Sequence, residues 1–367
     1  MLRLLAPLLL IIALAAQPAA SAEPAPIDRM LGAMLMLGFR GAALPASDAF
    51  RQMITEGKIG NIILFDRDVA SGKERNIASP EQLKALTAGL RQAAPGPMFI
   101  SIDQEGGQVR RLKPQKGFLE LPSAQAMGQG SPAATLELAQ KAGQEMHELG
   151  INMDLAPVVD VDSNPFNPAI GRLGRAFGPD AANVAAHALA FGQGLAKNGV
   201  VPVLKHFPGQ GCASADSHLG LTDITQCWNA ETDLKPYADI FRQGWPGAVM
   251  VGHLFQGGLD AALPATLSKN IVTGLLRQGL GWQGVVISDD IQMKAISEGR
   301  ELKDVMAQAI EAGIDILILG NNLEWDPDLP AKAWAAMRSL VDEGRLTEER
   351  IAESWQRISA LHSAYGN

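Results

Sequence analysis

Eight short runs of apolar residues punctuate the chain. They are "GAMLMLGF" (32–39), "IGNIILF" (59–65), "PMFISID" (97–103), "INMDLAP" (151–157), "VVPVLKHF" (200–207), "GAVMVGHL" (247–254), "GVVISDD" (284–290) and "DILILG" (315–320). Within each run apolar residues follow one another instead of alternating with polar ones. That pattern predicts strands buried on both faces. Between the runs the period lengthens to that of amphipathic helices. In "SPAATLELAQKAGQEMHELG", Ser131 is placed to cap a helix, Pro132 to open it and Gly150 to end it. "DAANVAAHALAFGQGLAKNG" reads as a second helix from Asp180 to Gly199, and "LTEERIAESWQRISALHSAYG" as one closing helix.

Eight β-α units place the chain in the α/β class and predict a single closed (β/α)8 TIM-type barrel. A doubly wound open sheet would use the same units. Two observations disfavour it. No glycine fingerprint of a dinucleotide fold follows the first strand. Polar residues also end several different strands: Asp103, Lys205, His206, His253 and Asp289. In a barrel those ends converge on one mouth, whereas an open sheet would spread them along a line. The sequence contains no internal repeat, low-complexity linker or second compositional domain.

Charge and composition narrow the class. The net charge is −8 over 367 residues, without a basic run, which argues against nucleic acid as a partner. Aromatic residues make up only 5%, which argues against a broad stacking platform. The opening "MLRLLAPLLLIIALAAQPAASA" has one arginine, an apolar core and a small-residue end at Ala20-Ser21-Ala22. It predicts a signal peptide over 1–22, cleaved after Ala22, with export to the periplasm and no stable membrane insertion afterwards. An uncleaved anchor is the alternative, and the apolar run is short for a span. Cys212 and Cys227 fit no zinc spacing. In an exported chain they are a candidate disulfide flanking Asp216 and His218, and two separate thiols are the alternative.

Two stretches carry candidate chemistry. "VVISDDIQM" ends a buried strand on Asp289 and Asp290. Adjacent strand-end carboxylates point different ways, which disfavours joint metal binding. One nucleophilic or electrostatic carboxylate with its neighbour turned aside fits better, and capping of the next helix is the bland alternative. "KHFPGQGCASADSH" opens on Lys205-His206 and closes on Asp216-Ser217-His218. A lysine at a buried strand end needs a partner or a polyhydroxylated or anionic ligand. An aspartate two residues before a histidine can fix its tautomer and raise its basicity, making a general acid/base. A solvated turn is the alternative. Gly209 and Gly211 predict a flexible, adaptable loop between the two ends.

Together "KHFPGQGCASADSH" and "SDDIQM" resemble glycoside hydrolase family 3, in its single-domain β-N-acetylglucosaminidase branch. "IDQEGGQVRRL" (102–112), "DLAPVVDVDSNPFNPAIG" (154–171) and "GRAFGPD" (174–180) agree with that resemblance. It covers nearly all of residues 23–367, which would form the catalytic barrel. The resemblance implies a retaining, two-step hydrolysis of terminal β-linked N-acetylglucosamine from peptidoglycan or chito-oligosaccharide fragments. Asp289 matches the nucleophile, His218 the acid/base and Asp216 its orienting partner. Asp103, Arg111, Arg175, Lys205 and His206 match substrate-binding positions. Arg172 competes with Arg175 for one of them, but Arg175 directly precedes the matching "AFG". An amino-sugar oligosaccharide is the implied substrate, and neither a metal nor an organic cofactor is implied. A phosphorylase using the same site, or a wall-binding barrel without catalysis, are the competing readings.

Overall fold

The computed structural model describes residues 26–44, 48–216 and 220–366. The predicted signal segment, 1–22, lies outside the described residues. Each of the eight apolar runs contains one strand of a closed, all-parallel barrel: β1 (Leu35–Leu37), β2 (Asn61–Ile63), β3 (Phe99–Ile102), β4 (Met153–Asp154), β5 (Val201–Phe207), β6 (Ala248–Val251), β7 (Val286–Asp290) and β8 (Ile316–Leu319). Strands adjacent in sequence are adjacent in the barrel, and β8 closes it against β1 with Leu35 opposite Leu317. The open-sheet alternative is therefore excluded. A short parallel pair, Thr222–Asp223 with Leu254–Phe255, lies outside the barrel.

The strands are shorter than the apolar runs that predict them. The run at 32–39 begins inside the helix Ile27–Ala33. The run at 151–157 yields only Met153–Asp154. Pro157 in that run has no N–H for a ladder bond. Polar side chains splice the strand starts instead. Asn61 Nδ2 donates to the Ala33 carbonyl while Asn61 Oδ1 accepts from Phe99 N–H. Asn152 repeats the device two strands on, at the start of β4, accepting from Ile100 N–H and donating to the Met98 carbonyl.

Helix ends follow the capping logic of the sequence. Ser131 Oγ accepts from Ala134 N–H at the start of the helix Pro132–Glu148. Asp180 caps Ala181–Ala196 through Asn183 N–H, and Thr347 caps the closing helix Glu348–Ala364. Among the described residues no helix is long and apolar enough to cross a membrane.

One buried carboxylate locks the closing helix to the barrel. Asp315, just before β8, is fully buried. It takes Arg277 Nη2 at 2.8 Å, Arg357 Nη1 at 3.0 Å and Ser354 Oγ at 2.7 Å, and accepts from Val286 N–H at 3.0 Å. Removing the carboxylate strands arginines in a poorly hydrated place. Asp315→Leu is expected to destabilise the protein by about 3–5 kcal/mol, read from the urea midpoint. A midpoint equal to wild type would refute the lock.

Candidate active site

The mouth of the barrel is organised around Lys205. It sits near the end of β5 with 2% of its surface exposed. A buried ammonium needs compensating charge, and β3 supplies it through the residues that follow Ile102. Lys205 Nζ lies 2.8 Å from Asp103 Oδ1 and 2.7 Å from Glu105 Oε1. Arg111 Nη2 donates to the other oxygen of Asp103 at 2.9 Å. Arg175 grips both oxygens of Glu105, through Nε at 2.8 Å and Nη2 at 2.7 Å. This fork is the strong geometry for a guanidinium and a carboxylate.

The network sets the charge states. Burial alone would raise the Asp103 carboxyl, but Lys205 and Arg111 outweigh it and hold the group well below its usual range. Burial opposes ionisation of Glu105 too, and Arg175 with Lys205 brings it down to about 2. Burial would discharge Lys205, and Asp103 and Glu105 reverse that, so its affinity for the proton rises. All three are ionised at neutral pH.

His206 points its Nε2 at Arg175 Nη2, 3.3 Å away, and its Nδ1 at Asp160 Oδ2, 2.7 Å away. A guanidinium only donates and a carboxylate only accepts. Nδ1 therefore carries the hydrogen, and Nε2 is an acceptor. Asp160 is fully buried, and its other oxygen accepts from Gln210 N–H at 2.7 Å.

Five of these groups, with Asp289, line one cavity of about 410 Å³. Asp103, Arg111, Arg175, Lys205, His206 and Asp289 all face it, with Leu155, Met250 and Met293 among its apolar lining. Such a mixture of apolar wall and few converging polar groups suits a small polar ligand. Arg172, the competing arginine, is exposed. Asp289 and Asp290 end β7 and diverge in use. Asp289 Oδ1 accepts from Asp290 N–H at 2.8 Å. Asp290 turns its two oxygens to Gln292 N–H and Gly320 N–H. Gly320 is in turn fixed by Arg75, whose Nη2 donates to its carbonyl at 2.9 Å.

The segment after β5 corrects one expectation. Its glycines do not make a flexible root. Gly209 adopts φ +123°, and a Cβ on Gly211 would lie 1.7 Å from the Val161 carbonyl oxygen. Glycine is required there for close approach. Asn167 Nδ2 donates to the carbonyls of Gln210 and Gly211, and Asn164 Nδ2 to that of Ala213. Trp228 Nε1 donates to the Pro208 carbonyl at 3.0 Å. Cys212 and Cys227 are joined in a disulfide with Cα atoms 5.7 Å apart. Asp216 is half-buried just past this pinned root. His218 lies outside the described residues.

Several of these residues escape a reading of sequence. Glu105 stands in the quoted "IDQEGG" and Asp160 in "DLAPVVDVDS", yet neither stretch shows which cation each acid meets. Asp154, at the end of β4, is a third. It is fully buried, accepts from Gln104 N–H at 2.9 Å through Oδ1, and has no partner for Oδ2. Burial, with Asp103 and Glu105 nearby, raises its carboxyl to about 8 despite the Gln104 bond and Lys205. The folded state therefore keeps a proton that the unfolded chain releases near pH 4. Its contribution is full below that pH and is lost as pH rises toward 8. Asp154→Asn keeps the acceptor without the titration. The variant should gain stability relative to wild type between pH 4.5 and pH 8, measured by denaturant unfolding across that range. A difference independent of pH would show that Asp154 is ionised in the fold.

Comparison with known proteins agrees with this architecture. Residues 27–361 match the model of the glycosyl hydrolase family 3 N-terminal domain. The chain is 32% identical to beta-hexosaminidase A of Pseudoalteromonas piscicida, over 94% of this chain and 62% of that protein. It is 38% identical to beta-hexosaminidase LpqI of Mycobacterium tuberculosis, over 82% of this chain and 76% of that one. The solved glycoside hydrolase family 3 beta-N-acetylglucosaminidase from Paenibacillus sp. superposes with a TM-score of 0.85 at 36% identity, covering 94% of this chain and 63% of its own. The beta-N-acetylhexosaminidase of Beutenbergia cavernae gives 0.79 at 30% identity, covering 94% and 99%. The chain thus spans less than two thirds of the Pseudoalteromonas and Paenibacillus proteins. It belongs to glycosyl hydrolase family 3.

Proposed function

We propose that this chain is a retaining β-N-acetylhexosaminidase. It removes terminal β-linked N-acetylglucosamine from peptidoglycan or chito-oligosaccharide fragments. The observation that carries the reading is the shared cavity. Asp289 faces the same space as Asp103, Lys205 and Arg175, which Glu105 backs from behind the cavity wall and which offer charged donors and acceptors to a polyhydroxylated ring. Asp103, Arg111, Arg175, Lys205 and His206 hold the sugar. The two arginines and Lys205 present donors, and Asp103 presents an acceptor.

In the first step an oxygen of Asp289 attacks the anomeric carbon. The glycosidic bond breaks, and the departing oxygen takes a proton from His218. In the second, water attacks the same carbon, gives its proton back to His218, and frees Asp289. The configuration is inverted twice and so retained. Asp216 orients the imidazole. The relatives named beta-hexosaminidase support this reading.

Residues 1–22 serve as an export signal in this proposal, and 23–367 work in the periplasm. The Cys212–Cys227 disulfide supports that, because such bonds persist in oxidising compartments. Mature protein recovered from periplasm should begin at Glu23, and an intact Met1 would count against it.

Asp289→Ala should lose turnover by on the order of 10⁴-fold or more while keeping its unfolding midpoint. Azide should restore part of the rate by attacking the exposed anomeric carbon, giving a glycosyl azide of inverted configuration. Near-wild-type hydrolysis by the variant would sink the assignment of Asp289.

His218→Ala should depend on the leaving group. Loss of a general acid costs about 10²–10⁴-fold where the departing oxygen needs a proton. Dinitrophenyl glycosides need none, so their first step should suffer far less than that of natural disaccharides. Equal losses on both substrates would exclude an acid role for His218.

A further inference from the structure

His253 stands two residues past β6 and is fully buried. A buried imidazole is costly unless its nitrogens are used. Its Nε2 lies 2.9 Å from the Asp290 carbonyl oxygen. A carbonyl only accepts, so Nε2 carries the hydrogen and donates. On the other side Nδ1 lies 2.8 Å from the Thr266 hydroxyl, which is itself 3.0 Å from the Gly252 carbonyl.

The carbonyl that His253 grips belongs to Asp290, the residue after Asp289, and opens the peptide between Asp290 and Ile291. Asp290 N–H bonds Asp289 Oδ1, and Met293 N–H shares the Asp290 carbonyl at 2.9 Å. The Asp290 side chain is held by Gly320 and Gln292. Fixing Asp290 from both ends fixes the direction of the neighbouring carboxylate.

The two residues after His253 hold something else. Leu254 pairs with Thr222 and Phe255 with Asp223, and Ile224 N–H donates to the Phe255 carbonyl at 2.9 Å. Thr222 lies four residues beyond His218. Three consecutive residues thus touch the strand that carries Asp289 and the exit of the loop that carries His218.

We infer that His253 is a positioning residue that ties these two elements into one frame, setting the Asp289 carboxylate and the return of the His218 loop together. The inference rests on the proposed roles of Asp289 and His218. It assigns His253 no contact with substrate. Its effect belongs in kcat, because a small misplacement of a reacting group costs rate before it costs affinity.

Three variants test it, each measured for kcat, KM and unfolding midpoint on an aryl β-N-acetylglucosaminide and on a natural disaccharide. His253→Leu fills the space without the donor. Its kcat should fall by about 10- to 100-fold with little change in KM. His253→Gln can place an amide N–H near the lost Nε2, and should recover most of that rate. Thr266→Val keeps the volume and releases Nδ1, and should lower kcat by about threefold or more.

Wild-type kcat in His253→Leu overturns the inference, as do equal losses in the Leu and Gln variants, which would mean the site needs only a ring-sized filler. If His253→Leu does not fold, Thr266→Val decides, and an unchanged kcat there overturns it. The parent reading is checked separately by Asp289→Ala. An active Asp289→Ala defeats the site assignment itself. An inactive one beside unaffected His253 and Thr266 variants defeats this inference alone.

Discussion

The mouth of this barrel depends on one buried ammonium. Lys205 on β5 is shared by Asp103 and Glu105, which follow β3. The ion pairs reach across the intervening β4, and this is possible only because a closed barrel turns those strand ends toward a common interior. Remove the lysine and a buried Glu105 and a partly buried Asp103 lose their shared cation. Remove the closure and the lysine has no partner within reach. Arg111 and Arg175 extend the same arrangement outward, one on each acid. The array is costly to bury and is offset only when it is complete. That requirement ties the loops after β3 and β4 to the end of β5.

The segment after β5 shows a second consequence. His206, Asp160 and Gln210 continue the network into the root of the loop, and Asn164 and Asn167 hold its carbonyls. The disulfide to Cys227 and the Trp228 bond fasten it from the far side. Closing a fifteen-residue interval in this way removes unfolded-state freedom worth about 3 kcal/mol in the chain-entropy account. The root is therefore held on both sides, by side-chain hydrogen bonds and by a covalent bridge.

The acids in this site are divided by environment. Asp103 and Glu105 meet cations and stay ionised, whereas Asp154 at the end of β4 is fully buried with one backbone N–H and two nearby like charges, which outweigh Lys205. Three carboxyls packed at one barrel mouth thus carry different charges at the same pH. Asp154 remains neutral, and this spares Lys205 a third anion.

What the sequence determines here is local or periodic. Eight apolar runs specify eight doubly buried strands, because each run needs only its own side chains to reveal burial. Ser131 and Asp180 announce their helices, because a cap bonds within its own turn. Asp103, Lys205, His206 and Asp289 stand out as polar residues that end apolar strands. Tertiary structure alone decides the partnerships. Glu105 and Asp160 look like ordinary loop acids until Lys205, Arg175 and His206 are brought to them from 46 to 100 residues away. The lack of room at Gly211 and the neutral Asp154 are equally invisible in the chain, whereas the pairing of Cys212 with Cys227 is one of two open readings that the fold decides. Each depends on which strand lies beside which, and on how far a side chain stands from water once the barrel has closed.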